Sequence, residues 1–280
     1  MTTGDLLARL RAAIKEPHTS IHRLNISRVP LCLPPHTDRP DLYLLGLSRY
    51  AELFYGIEEA WLSLIGDPLD WISQDTHIAN VNLHTEVSSP ENDLSPPEDT
   101  NPRIQTVLRT LYIPELLRTK TLQDDLRLLN ASCPPATQIL IQPPKHQETN
   151  TGQRIKHELR NRIQDKPHIL VAYVWIMYSA LLYGGRDIRA ILLKAGPEFW
   201  GLSVAEINPQ RRIPCPLSFW HINDEAEVKG KFRAGMTDVE RLLSATEQQD
   251  ILDEAGRIFG ILEILTRSLD DDVKVLNARV

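Results

Sequence analysis

The chain has 280 residues, 42% of them hydrophobic and 24% charged, which is enough apolar content to bury a sizeable core. A formal net charge of −6, with Lys and Arg scattered and Arg211-Arg212 too short to form a patch, excludes the basic face of a nucleic-acid protein. Cys32, Cys133 and Cys215 lie far apart with no CxxC spacing. They exclude a zinc ribbon or disulfide framework and fit a reducing, cytoplasmic setting.

The amino end shows no positive n-region followed by an apolar stretch, so no secretory signal is expected. Leu6, Leu7, Leu10 and Ile14 recur at helical spacing, and Pro17 is expected to interrupt the run. A second helix is predicted from Asp38-Arg39-Pro40-Asp41 to about Leu64, with Leu45, Leu53, Ile57, Trp61 and Leu64 along one face. Residues 67–103 then turn polar and proline-rich, most clearly in Ser88–Asp99 (SSPENDLSPPED). They read as an exposed insertion within one domain spanning 1–280.

Helical pattern resumes over Ile104–Leu111 and Glu115–Leu129, and a second proline-rich break covers Cys133–Pro144. Gly152–Ile163 is next. The longest apolar run, Ile169–Tyr183, has 15 residues, short of the ~18–20 that span a bilayer, and suits a buried helix. Gly184-Gly185 interrupts it, each costing about 1 kcal/mol of helix stability relative to alanine and permitting a bend or a close backbone approach. The pattern continues through Ile188, Ile191, Leu192 and Ala195.

Two helices are predicted to close the chain. One spans about Glu225 to Leu243. The other is introduced by the capping-box pattern Ser244-Ala-Thr-Glu247 and buries Ile251, Ala255, Ile258, Phe259, Leu262 and Leu265. The polar end after Leu269 carries no expected tail anchor. There is no internal repeat and no sustained strand-type alternation. The fold class is therefore all-α, a bundle of eight or nine helices with no integral membrane segment.

Four segments, in order, resemble the heme oxygenase family. Leu10–Thr19 (LRAAIKEPHT) resembles the first helix, whose histidine ligates heme iron. Tyr112–Leu126 (YIPELLRTKTLQDDL) resembles the helix after the family's aromatic-Pro-Glu-Leu turn. Leu170–Tyr178 (LVAYVWIMY), leading to Leu182–Gly185 (LYGG), resembles the kinked central, or distal, helix over the other heme face. Lys229–Met236 (KGKFRAGM) resembles the segment whose basic residues pair with heme propionates.

The resemblance implies a heme oxygenase-like multi-helix bundle that takes heme as its cofactor and substrate. His18 would be the axial iron ligand, while Arg11, Lys229 and Arg233 would meet the propionates through charge-assisted hydrogen bonds. Arg11 precedes His18 by two helical turns, on roughly the same face. The second nitrogen of a ligating imidazole needs an acceptor, which the sequence does not identify. Gly184 and Gly185 would let backbone approach the macrocycle, and Tyr178 or Tyr183 would hold water there.

The chain departs from the family pattern at the distal helix. Ala180 and Leu181 stand where a glycine and the proton-relaying aspartate are usual, and leucine can neither donate nor accept a hydrogen bond. Tyr173, Trp175 and Met177 replace a histidine, a tyrosine and an arginine.

Three functions follow. The first is oxidative cleavage of heme to biliverdin, iron and carbon monoxide. It would use dioxygen and an NADPH-dependent reductase, since the chain has no Gly-rich dinucleotide motif of its own. The second is an enzyme of specialised metabolism with changed chemistry on the same fold. A di-iron version is opposed by the absence of a carboxylate in Ile169–Tyr183. The third is a non-catalytic heme carrier or sensor, motivated by Leu181. The Cys133-Pro134 and Cys215-Pro216 pairs are of a kind that binds ferric heme at regulatory sites, though loop cysteines in proline-rich turns are the simpler reading.

Overall fold

The structure is a computed structural model that describes residues 5–68, 101–133, 150–202 and 216–277. The proposed insertion core at 69–100, most of the second proline-rich break, and Cys215 lie outside the described residues. Among the described residues the chain is helical with no strand.

Helix α1 (Leu6–Arg28) starts at Asp5, whose carboxylate accepts from Leu7 N at 3.0 Å. It runs straight through Pro17, contrary to the interruption expected there. An interior proline loses one backbone hydrogen bond and crowds the carbonyl four residues earlier, at about 3 kcal/mol, but the helix is pinned to its neighbours on both sides of it. Leu6 and Leu10 are fully buried before Pro17, and Ile21 is buried after it. Beyond Ile21, Asn25 Oδ1 accepts from Thr266 Oγ1 at 3.1 Å, and Arg28 pairs with Asp270 at 2.7 Å.

Helix α2 (Asp41–Ile65) buries most of its circumference, including Leu45, Leu53, Ile57, Trp61 and Leu64 as expected. Helices α3 (Pro102–Thr110) and α4 (Thr119–Ala131) cross it, joined by a 3-10 turn at Pro114–Leu116. Helix α5 (Thr151–Asp165) opens on a capping box between Asn150 and Gln153.

The apolar run forms α6 (Leu170–Ser179), in which every residue from Leu170 to Tyr178 is buried. A π turn over Ala180–Gly184 follows, and α7 (Gly185–Leu193) continues the same rod. From Pro167 to Leu193 this rod is long and apolar enough to cross a membrane by length and composition. However, 72% of its most apolar window is covered by protein, as befits the middle of a bundle.

Helices α8 (Glu225–Leu242) and α9 (Ala245–Asn277) close the fold. The predicted capping box forms: Ser244 N donates to Glu247 at 2.8 Å, and Glu247 N donates back to Ser244 Oγ at 3.3 Å.

Helix α9 is the strut that sets α1 and α6 in register. Arg9 meets Gln248, His18 meets Phe259 and Asn25 meets Thr266, so α1 runs in the same sense as α9. His168 meets Asp250 and Tyr173 meets Glu254, so α6 does too. By helical periodicity, Asp250 and Glu254 lie on a different flank of α9 from Phe259 and Thr266. The first helix and the central helix therefore stand on opposite shoulders of one helix.

Candidate functional site

The central helix presents two kinds of side chain. On its covered faces each tyrosine hydroxyl is committed to a buried carboxylate. Tyr173 donates to Glu254 at 2.7 Å, and Tyr178 donates to Glu58 at 2.9 Å. Burial and the adjoining Glu58 charge hold the Tyr178 phenol well above its ordinary range. Glu58 also accepts from the backbone of Arg118 at 2.5 Å and of Thr119 at 2.9 Å. Tyr178 is thus a structural tie between α6 and α2, and its hydroxyl is spoken for.

The remaining face carries Trp175, Ser179, Ala180 and Tyr183, spaced as one stripe around the start of the π turn. Ala180 is exposed and Tyr183 is 41% exposed. The three cations singled out from the sequence gather on the two rings at the ends of this stripe. The Arg11 guanidinium lies 5.6 Å from the Trp175 ring centre. Lys229 Nζ lies 5.0 Å, and the Arg233 guanidinium 5.6 Å, from the Tyr183 ring centre. Arg233 Nε also donates to the Tyr183 hydroxyl at 3.0 Å. Trp175 stacks on Phe232, the residue before Arg233, at 5.7 Å and 10°.

Helices α1 and α8 thus bring cations from either side onto one stripe of the central helix, which is covered at Trp175 and opens from Ser179 onward. Lys229 is partly neutralised by Glu225 at 2.5 Å. Arg11 has no carboxylate partner among the described residues.

His18 is exposed on α1. Its ring lies edge-on to Phe259 at 6.2 Å and parallel to His22, with ring centres 6.0 Å apart. Among the described residues its ring nitrogens have no protein hydrogen-bond partner, so they are available to a ligand.

The paired glycines divide their roles. A Cβ on Gly185 would sit 3.4 Å from the Trp220 ring, so this glycine serves packing against the 3-10 turn at Ser218–Trp220. A Cβ on Gly184 would meet nothing within 4 Å among the described residues, which leaves the backbone there open to them. Leu181 is buried, with its Cδ1 3.6 Å from the same Gly185 position.

Two buried clamps hold the turn that backs Gly185. Asp125 is fully buried and accepts from Ser218 Oγ at 2.7 Å and from Phe219 N at 2.8 Å. Desolvation raises its pKa to about 6 despite these bonds. The Arg118 guanidinium spends its donors on the carbonyls of Leu116, Glu115 and His221. Trp220 in turn donates to the Tyr43 hydroxyl at 2.9 Å.

Cys133 is buried and donates to Asp41 at 3.1 Å, and burial pushes its thiol up to about 12. A thiol so placed is a packing group rather than an exposed metal ligand. Among the described residues there is no cluster of three or more His, Cys, Asp or Glu that could hold a metal ion.

A family model described as heme oxygenase matches residues 98–267, more than half of the chain. The chain belongs to the heme oxygenase family. Solved structures agree on the fold. Heme oxygenase-1 from the cyanobacterium Synechocystis, in complex with heme, aligns with a TM-score of 0.61 at 17% identity, covering 99% of this chain and 97% of that one. The heme oxygenase from Leptospira interrogans aligns with a TM-score of 0.58 at 17% identity, covering 94% and 98%. Heme oxygenase 2 from Chlamydomonas reinhardtii, without heme, gives 0.62 at 14%, covering 95% and 98%. No curated protein sequence matches the chain.

Sequence reasoning overlooked Phe232 and Phe259 as ring neighbours of the site, and Glu225 as the counter-charge to Lys229. Of these, only the i, i+4 spacing of Glu225 and Lys229 carried a local signal.

Proposed function

We propose that this heme oxygenase-family chain binds heme and cleaves it oxidatively to biliverdin, iron and carbon monoxide, using dioxygen and electrons from an external reductase. The observation that carries this reading is the gathering of Arg11, Lys229 and Arg233 on Trp175 and Tyr183, the two ends of a mainly apolar stripe of the central helix that opens from Ser179 onward. A flat dianion with an apolar body matches such a surface: carboxylates at the cationic rim, macrocycle along the rings and the open backbone at Gly184. The structures of relatives bound to heme support the same ligand.

In this reading His18 is the axial ligand, and its free ring nitrogens and exposure suit that role. Phe259 limits its tilt from the α9 side. Bound heme supplies both the iron that activates dioxygen and the carbon that is oxidised. The chain orients that group by its propionates and excludes bulk water with Ala180 and the aromatic stripe. In this reading the chain acts as one domain, since α1 supplies the ligand and α8 supplies two of the cations.

Leu181 favours a second reading, a heme carrier or sensor without turnover. Its side chain is buried and offers no carboxylate to hold water. Adding a reductase and NADPH to the hemin complex under air separates the two. The proposal expects biliverdin, free iron and carbon monoxide in equal amounts. A stable ferrous complex without bilin would leave the carrier reading.

A further inference from the structure

We infer that Ser179 is the positioning residue that holds water on the open face of the central helix, in the role a carboxylate at position 181 would have played. The inference rests on the heme-binding reading above.

The Ser179 hydroxyl is buried and has no hydrogen-bond partner among the described residues. Leaving a buried hydroxyl in that state is destabilising. It is also unlike the other covered hydroxyls in helices of this chain. Ser48 bonds back to Leu45 O, Thr266 to Leu262 O and Ser268 to Leu265 O. Ser179 alone among these four leaves the backbone unused. A hydroxyl kept free of the helix is available to something else.

Its position says what that is. Ser179 lies four residues after Trp175 and four before Tyr183, so it is the midpoint of the stripe whose ends the three cations mark. The residue is partly exposed although its Oγ points inward, and Ala180 beside it is exposed. Serine has other staggered χ1 wells, and holding water on the open side requires the hydroxyl to turn there in one of them when heme is bound. The register along α9 adds a further observation. Tyr173 lies at Glu254, and six residues on, Ser179 reaches the level of Gly260, next to Phe259 where His18 lies. Ser179 and His18 are therefore level with each other from opposite shoulders of α9.

Competing polar groups on the central helix are engaged elsewhere. Tyr178 is bonded to Glu58, Tyr173 to Glu254 and Tyr183 to Arg233. A hydroxyl is both donor and acceptor, so it can orient a water without carrying charge. It holds that water more weakly than a carboxylate would.

The test uses the full chain with hemin, in wild-type, Ser179→Ala and Ser179→Thr forms, and follows the visible spectrum through a pH titration. Donation from Ser179 favours the hydroxide form of the ferric complex. The acid-to-alkaline midpoint of Ser179→Ala is therefore expected about one unit above wild type, a tenfold effect, with Ser179→Thr restoring it. Hemin affinity should stay within about twofold, and the apoprotein melting temperature should hold or rise, because alanine removes an unsatisfied hydroxyl.

A midpoint unchanged in Ser179→Ala, with hemin bound through His18, overturns the inference and leaves the heme reading intact. A marked fall in apoprotein melting temperature also overturns it, in favour of a packing role. Failure of wild type to take up hemin overturns both.

Discussion

The two halves of the central helix are built on opposite principles. Up to Tyr178 the rod is buried all round, and its hydroxyls end on Glu254 and Glu58. From Ser179 onward one face opens, hydrogen bonding inside the helix changes to a π turn, and Ser179 keeps an unsatisfied hydroxyl. The lower half spends its polar groups on stability, whereas the upper half withholds them. π turns and unpaired polar groups are costly, and here they lie between Trp175, which carries Arg11, and Tyr183, which carries Lys229 and Arg233, which is why the proposed function is placed on the upper half.

The largest expected effect lies in the lower half. Glu58→Ala strips the acceptor from the Tyr178 hydroxyl and from the backbone N–H groups of Arg118 and Thr119. It should destabilise the fold by about 3–5 kcal/mol, read by denaturant unfolding. A loss under about 1 kcal/mol would show that the lower half is not the load-carrying end.

Next is a pH effect from the turn that backs Gly185. Desolvation raises Asp125 from 3.8 to about 6, so the folded chain retains a proton that the unfolded chain has released. The stability this group contributes is complete below about pH 4 and is lost as pH rises through about 6, amounting to at most about 3 kcal/mol. Asp125→Asn should flatten that part of the stability profile. An unchanged slope would mean the carboxyl titrates normally.

The smallest effects separate the two glycines. Gly185→Leu would overpack against Trp220 and should cost about 1–3 kcal/mol. Gly184→Ala meets no atom and should stabilise the apoprotein by under about 1 kcal/mol. Equal effects at both positions would erase the distinction between a packing glycine and an open one.

Much of the architecture was legible where the signal is local. The Ser244–Glu247 capping box, the buried stripe of α9 and the all-round apolar α6 each follow from residues within a few turns of one another. Pro17 was misread because its local penalty is outweighed by contacts to Asp270 and Thr266, which are distant in sequence. The glycine pair announced an irregularity but not its form, since a π turn has no composition of its own. Within the site, Arg11, Lys229 and Arg233 were legible only through the family resemblance. The engagement of Tyr178 by Glu58 was invisible, because the partners lie 120 residues apart. So was the isolation of Ser179, which depends on what fails to surround it.

In the proposed complex an imidazole on the first helix and three cations along one stripe of the central helix hold one heme. The visible spectrum of the hemin complex, compared between wild type and His18→Ala, tests it most directly. A histidine-type Soret band in wild type that is lost in His18→Ala is the predicted result. A band of the same position and intensity in both proteins would contradict it.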